Sequence, residues 1–172
     1  MEAIVNKVAE SGIITLDLAN FIPTDEQVIT FDLKPFLFRE MILREKDYRA
    51  ALQTHDWQQY DDKHVNITCS ADAIIPMWAY MLAGVNLEPN TRSVYYGSTE
   101  ELKLYRALLA IEKMDVSEYE NKRVVVKGCG DIPISEKLYV AISQKLRPHV
   151  ISLMYGEPCS TVPIYKRPKP QV

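Results

Sequence analysis

Arg123-Val124-Val125-Val126-Lys127-Gly128, running into Cys129-Gly130-Asp131-Ile132-Pro133, is the stretch on which the reading of the fold turns. Three consecutive valines without alternation suit a strand covered on both faces, as in a parallel sheet. The glycines and proline behind them mark the strand's exit. On either side of it, strands of the same kind are predicted over 64–69, 93–97 and 150–156. Helical spacing fills the gaps over 73–83, 99–113 and 133–146. The second of these helices opens with Ser98-Thr99-Glu100-Glu101, a capping box in which serine and glutamate each satisfy a free amide. Strand and helix alternating at this spacing predict an α/β fold: a mainly parallel open sheet of about four strands with crossover helices.

The first third reads differently. Residues 1–62 hold 6 Lys and Arg against 12 Asp and Glu, and residues 63–172 hold 14 against 11. Short strands are predicted over 13–18 and 28–31, with Pro23-Thr24-Asp25-Glu26 turning between them. Leu43, Tyr48, Ala51 and Leu52 recur at threes and fours, predicting a helix over 36–54. His55-Asp56-Trp57 then opens a polar connection with one large aromatic to anchor it. The expectation is a single domain over 1–172, with a small αβ portion (1–62) that packs on a βα core (63–165) or extends its sheet, and a solvated tail (166–172).

The chain has 172 residues, 47% hydrophobic and 25% charged, with a formal net charge of −3. That apolar share excludes a disordered chain, and the acidic balance gives no expectation of nucleic-acid binding. The longest apolar run, 71–87, carries Asp72 and is broken by Pro76, Gly84 and Asn86, so no membrane span is expected. The opening MEAIVNKVAE lacks the basic start and apolar run of a signal peptide. Together with an odd count of 3 cysteines, it argues against a disulfide framework and for the cytoplasm.

The scarce residues are informative. There are 6 glycines, about half the usual share of roughly 7%, and Gly97, Gly128, Gly130 and Gly156 fall at carboxyl ends of predicted strands. So do Cys69, Cys129 and Cys159. Ligands of open parallel sheets bind at that edge, and glycine there admits a close backbone approach. Three thiols suit zinc or an iron–sulfur cluster, which makes Cys69, Cys129 and Cys159 the expected metal ligands. Asp72, Asp131 and Glu157, the acids of the same loops, are the candidates for a fourth ligand or an acid/base. Gly128, Gly130 and Gly156 are the candidates for backbone contact with a cofactor. His64 begins the strand that Cys69 ends, about 17 Å away at roughly 3.3 Å per residue. His149 likewise precedes the last strand, so neither suits the set; nothing points His55 inward.

Other readings stand beside this one. A cysteine at a helix start has a lowered pKa and can serve as a nucleophile without metal. Cysteine is equally a small apolar filler of cores, which would leave a binding or scaffold protein with structural cysteines. Gly128-Cys129-Gly130 begins like a dinucleotide fingerprint, but Pro133 stands at the third glycine's place. The 73–83 helix, with Ile74, Ile75, Met77, Trp78 and Met81, is either a core helix or a self-association face that would make a homodimer.

At these segments the chain resembles an uncharacterised bacterial family, domain of unknown function 2480. The resemblance lies in Ile4-Val5-Asn6-Lys7-Val8, Leu43-Arg44-Glu45-Lys46-Asp47, His55-Asp56-Trp57 and Thr68-Cys69-Ser70-Ala71-Asp72-Ala73-Ile74. It continues in Lys127-Gly128-Cys129-Gly130-Asp131-Ile132-Pro133 and in Gly156-Glu157-Pro158-Cys159-Ser160-Thr161-Val162-Pro163-Ile164-Tyr165. The family carries no established activity. The resemblance implies an iron or cluster role in preference to zinc, and iron–sulfur assembly proteins as partners.

Overall fold

A computed structural model describes residues 12–127, 130, 132–157 and 160–169. In chain order its strands and α-helices begin with β1 (Ile13–Leu16), β2 (Val28–Asp32), β3 (Leu37–Phe38), β4 (Ile42–Leu43) and α1 (Glu45–Gln53). There follow β5 (His64–Thr68), α2 (Met77–Leu87), β6 (Ser93–Tyr96) and α3 (Thr99–Lys113). The chain closes with β7 (Arg123–Val126), α4 (Glu136–Leu146), β8 (Ser152–Glu157) and β9 (Ser160–Lys166). The class is mixed α/β with a mainly parallel four-stranded sheet, ordered β1-β7-β8-β9.

The chain divides into two compact units, residues 23–105 and residues 1–22 with 106–172. In the second, β1 runs parallel to β7 from Ile13↔Arg123 to Leu16↔Val126, and β7 parallel to β8 from Arg123↔Ser152 to Val126↔Tyr155. Val124, Val125 and Val126 are all buried, as their unalternating sequence requires. So are Leu138, Ile142 and Leu146 of α4, one stripe spaced four apart. In the other unit β2, β5 and β6 form a parallel three-stranded sheet, with Val28↔His64 and Ile67↔Tyr96 in register. Phe31, Tyr48, Leu52, Val65, Ile67, Ala79 and Ala83 belong to its core.

The four strands from residue 63 onward, expected to share one sheet, are thus divided two and two. A strand–helix alternation shows that a strand is covered, but not which neighbour it pairs with. Here β1 and β2 supply those neighbours: β7 pairs with β1, and β5 with β2, along their full lengths. Strands of the first third are therefore members of both sheets.

Three elements depart from the expected spans. The helix predicted over 36–54 is only Glu45–Gln53, because Arg39 and Glu40 take positive φ of 51° and 57° and turn the β3–β4 hairpin. The helix predicted over 73–83 is Met77–Leu87: Pro76 is its N-cap with an extended ψ of 143°, and the residue before a proline is disfavoured in a helix. Residues 160–166, read as loop and tail, form an edge strand antiparallel to β8. Its Pro163 sits beside a register irregularity, a position that tolerates a missing N–H. Arg167 follows it, half-buried. Its amide donates to the Ile151 carbonyl at 2.8 Å and its guanidinium to Asn121 Oδ1 at 2.6 Å.

Candidate functional site

Parallel pairing brings the carboxyl ends of β1, β7 and β8 to one edge of the four-stranded sheet. A cavity of about 420 Å³ opens there, lined by Asp17, Lys127, Gly130, Ile132, Tyr139 and Tyr155 among others. Asp17 and Lys127 are the residues that follow β1 and β7, and the Lys127 amide donates to the Leu16 carbonyl at 2.9 Å. Their side chains form an ion pair, Lys127 Nζ to Asp17 Oδ2, at 2.9 Å. The Asp17 Oδ1 also accepts the Ala19 amide at 2.9 Å. Lys127 and that amide hold the Asp17 carboxyl below the usual carboxylate range, against a smaller opposing effect of burial. The Tyr139 hydroxyl donates to the Lys127 carbonyl at 3.4 Å, and its ring meets Tyr155 edge-on at 5.6 Å. A second, more apolar hollow of about 380 Å³ shares Ile134, Tyr139 and Tyr155 and extends to Leu153, Met154 and Ile164. The edge thus offers a cation, a carboxylate and two phenols beside an apolar wall, a lining suited to a small molecule with one polar end.

At the carboxyl edge of the three-stranded sheet the polar groups satisfy one another. Asp32 ends β2 opposite Thr68. Its Oδ1 accepts the Lys34 and Ser70 amides at 2.9 and 3.0 Å, and its Oδ2 the Ser70 hydroxyl at 2.5 Å. Burial pushes its carboxyl up, yet these bonds and nearby Lys34 leave it below the usual range. Cys69, between Thr68 and Ser70, is half-buried against the apolar core of this unit. Its thiol donates to the Ala71 carbonyl with Sγ···O 3.6 Å. Burial, with Tyr96 and Cys69 beside it, pushes the Tyr80 phenol up. For Cys69 this is the packing of a small apolar filler as much as that of a ligand.

Among the described residues, no group of three or more His, Cys, Asp or Glu side chains is placed to hold a metal ion. Of the expected ligands, Cys129, Cys159 and Asp131 lie outside the described residues, as does Gly128. Gly130, the residue after Cys129, lines the cavity, and a Cβ built on it would meet nothing within 4 Å. Glu157 is the last residue of β8 and pairs with Ser160 across the two-residue connection that contains Cys159. Asp72 is exposed beyond Cys69. Gly156 has a structural reason of its own: φ is +122°, and a Cβ would stand 2.5 Å from the Ser160 carbonyl oxygen. His64 opens β5 at the edge opposite Cys69, with Nδ1 2.8 Å from Ser93 Oγ, as its spacing required. His55 Nε2 lies 3.2 Å from the Tyr60 hydroxyl, within a cluster of Phe31, Phe36 and Trp57 rings.

Asp17, Lys127, Tyr139 and Tyr155 were not singled out by the sequence. The available signal was the position of Asp17 and Lys127, each a charged residue directly after an apolar strand. The two tyrosines carried none: Tyr139 reads as one more member of an apolar helical stripe.

Fold and site together make this a mixed α/β protein with a polar cavity at the carboxyl edge of a mainly parallel sheet. The chain belongs to the family described as "Protein of unknown function (DUF2480)", whose model matches residues 2–167. In comparisons with curated proteins and with solved structures, none matches. Among the described residues, no helix is long and apolar enough to cross a membrane.

Proposed function

We propose that the chain binds a thiolate-preferring metal, as zinc, iron or an iron–sulfur cluster, through its strand-exit cysteines, and acts as an accessory in cluster assembly or transfer. The observation that carries this is the register of β7 and β8. They are parallel neighbours with Val126 opposite Tyr155, and Cys129 and Cys159 follow these paired residues by three and four positions in the sequence. Two thiols on adjacent strand exits are the start of a tetrahedral donor set, and an incomplete protein set suits a centre that must be released. Asp131 and Glu157, in the segments of Cys129 and Cys159, are the candidate oxygen ligands, and Cys69 and Asp72, which follow β5 in the other unit, are candidate ligands of their own. Iron–sulfur assembly proteins are the proposed partners.

The test replaces each cysteine by serine and counts metal per chain after anaerobic reconstitution. Cys129→Ser and Cys159→Ser are each expected to lower bound metal at least about tenfold. Unchanged metal content in both would overturn the proposal.

The cavity itself favours a second reading, a cysteine-dependent enzyme without metal, because Gly130, the neighbour of Cys129, lines a polar hollow that holds Lys127. That reading predicts one thiol whose alkylation stays fast well below the ordinary cysteine pKa of about 8.5. Three thiols protected only while metal is present would contradict it.

A further inference from the structure

Helix α2 presents an apolar face to solvent as well as to the core. Ala79, Ala83 and Leu87 are buried on one side. On the other, Met77, Met81 and Val85, spaced four apart, are 73%, 71% and 72% exposed, and Ile74 just ahead of the helix is 94% exposed. Tyr96 extends the surface, exposed and in edge-on contact with Tyr80 at 5.1 Å. None of the eleven residues of α2 is charged, and the side chain of Asn86 is turned back onto the Leu82 carbonyl at 2.8 Å. The polar groups stand to one flank, where Arg49 and Gln53 line a shallow hollow with Leu82 and Asn86. An apolar centre with a polar rim is the anatomy of an interface.

We infer that this face is the interface of a homodimer, in which α2 of one protomer crosses α2 of its partner about a two-fold axis at Met81. Four aliphatic and thioether side chains each give up about 100 Å² when covered, and Tyr96 a similar amount, so the face supplies about 500 Å² of apolar surface. A standard interface takes about 800 Å² per partner, a little over half of it apolar, so the areas match. With no charge on the helix there is nothing to select a partner of complementary charge. The stripe is instead matched to itself: in an antiparallel pair Met81 meets Met81, and Met77 meets Val85. Gly84 fits the same crossing. Glycine inside a helix is disfavoured relative to alanine. A Cβ at position 84 would meet nothing within 4 Å in this chain, so no intrachain contact demands it. A second helix approaching on that side does.

Sedimentation equilibrium of the full chain tests this. The wild-type chain is expected at twice its 19.7 kDa monomer mass. Met81→Glu sets two carboxylates against each other at the axis and is expected to raise the dimer dissociation constant about a hundredfold or more. Val140→Glu, an exposed position on α4, leaves the dimer intact. Gly84→Ala, which strains no backbone and favours the helix, is the milder variant and also weakens association. A wild-type chain that stays at 19.7 kDa up to about 100 μM, a concentration far above the Kd expected of a standard interface, overturns the proposal. So does a dimer that both α2 variants leave unchanged.

Discussion

Asn66 lies mid-way along β5 with only 2% of its surface exposed. Its Oδ1 accepts the Thr30 and Thr99 hydroxyls at 2.9 and 3.3 Å, and its Nδ2 donates to the Gly97 carbonyl at 3.0 Å. One side chain thus ties β2, the turn after β6 and the start of α3 to the central strand. Asn66→Ala strands these partners and is expected to cost about 2–3 kcal/mol, read as the shift in urea unfolding; a loss under about 0.5 kcal/mol would contradict that role. A second prediction concerns His55, whose pKa is lowered by burial against a smaller opposing effect of Asp56. The unfolded chain therefore takes up this proton first, and stability falls as pH drops through the ordinary histidine value of 6.5. Between about pH 7.5 and about pH 5.5 the wild-type urea midpoint is expected to fall further than that of His55→Gln, which does not titrate. Equal falls would refute it. Neither residue advertised its role in the sequence. A polar residue in an apolar strand reads as an interruption until the partner strands are known.

Elements with local causes were the most legible. Helix α3 was expected over 99–113 and runs Thr99–Lys113, because the capping box at Ser98 and Glu101 is written into four consecutive residues. Helix α4 begins at Glu136 rather than 133, where Ser135 accepts the Lys137 amide at 3.3 Å. What failed was strand β9. Thr161-Val162-Pro163-Ile164-Tyr165 contains a proline that argues against a strand, and only an edge position makes it tolerable. The hairpin it forms with β8 includes Gly156, paired with Thr161, so Gly156→Ala is expected to destabilise it by about 2–3 kcal/mol through strain at positive φ and the close Ser160 carbonyl. Hydrogen exchange of the β9 amides reads this out. Protection equal to wild type would show that the hairpin does not need the glycine.

At the scale of the molecule, the α/β class followed from the order of strands and helices, but the strand pairing did not. Parallel partners are chosen by tertiary contact across long connections. The strand after β1 in its own sheet is β7, more than a hundred residues further on. The candidate site shares that fate. Cys129 and Cys159, read as strand-exit residues from the glycines and prolines around them, lie outside the described residues; β7 and β8, which precede them in the sequence, are adjacent. Cys69, given the same role by the same local pattern, follows β5 of the three-stranded sheet. The cavity at the β1, β7 and β8 edge was not legible, since Asp17 and Lys127 meet only through the pairing of β1 with β7.

The proposal that the strand-exit thiols hold metal is tested most simply by elemental analysis with an absorption spectrum on the full chain purified without oxygen, before and after reconstitution with iron and sulfide or with zinc. Metal bound in proportion to chain is expected, with thiolate-to-metal absorption that disappears on chelation. Colourless protein carrying neither iron nor zinc under both conditions would contradict it.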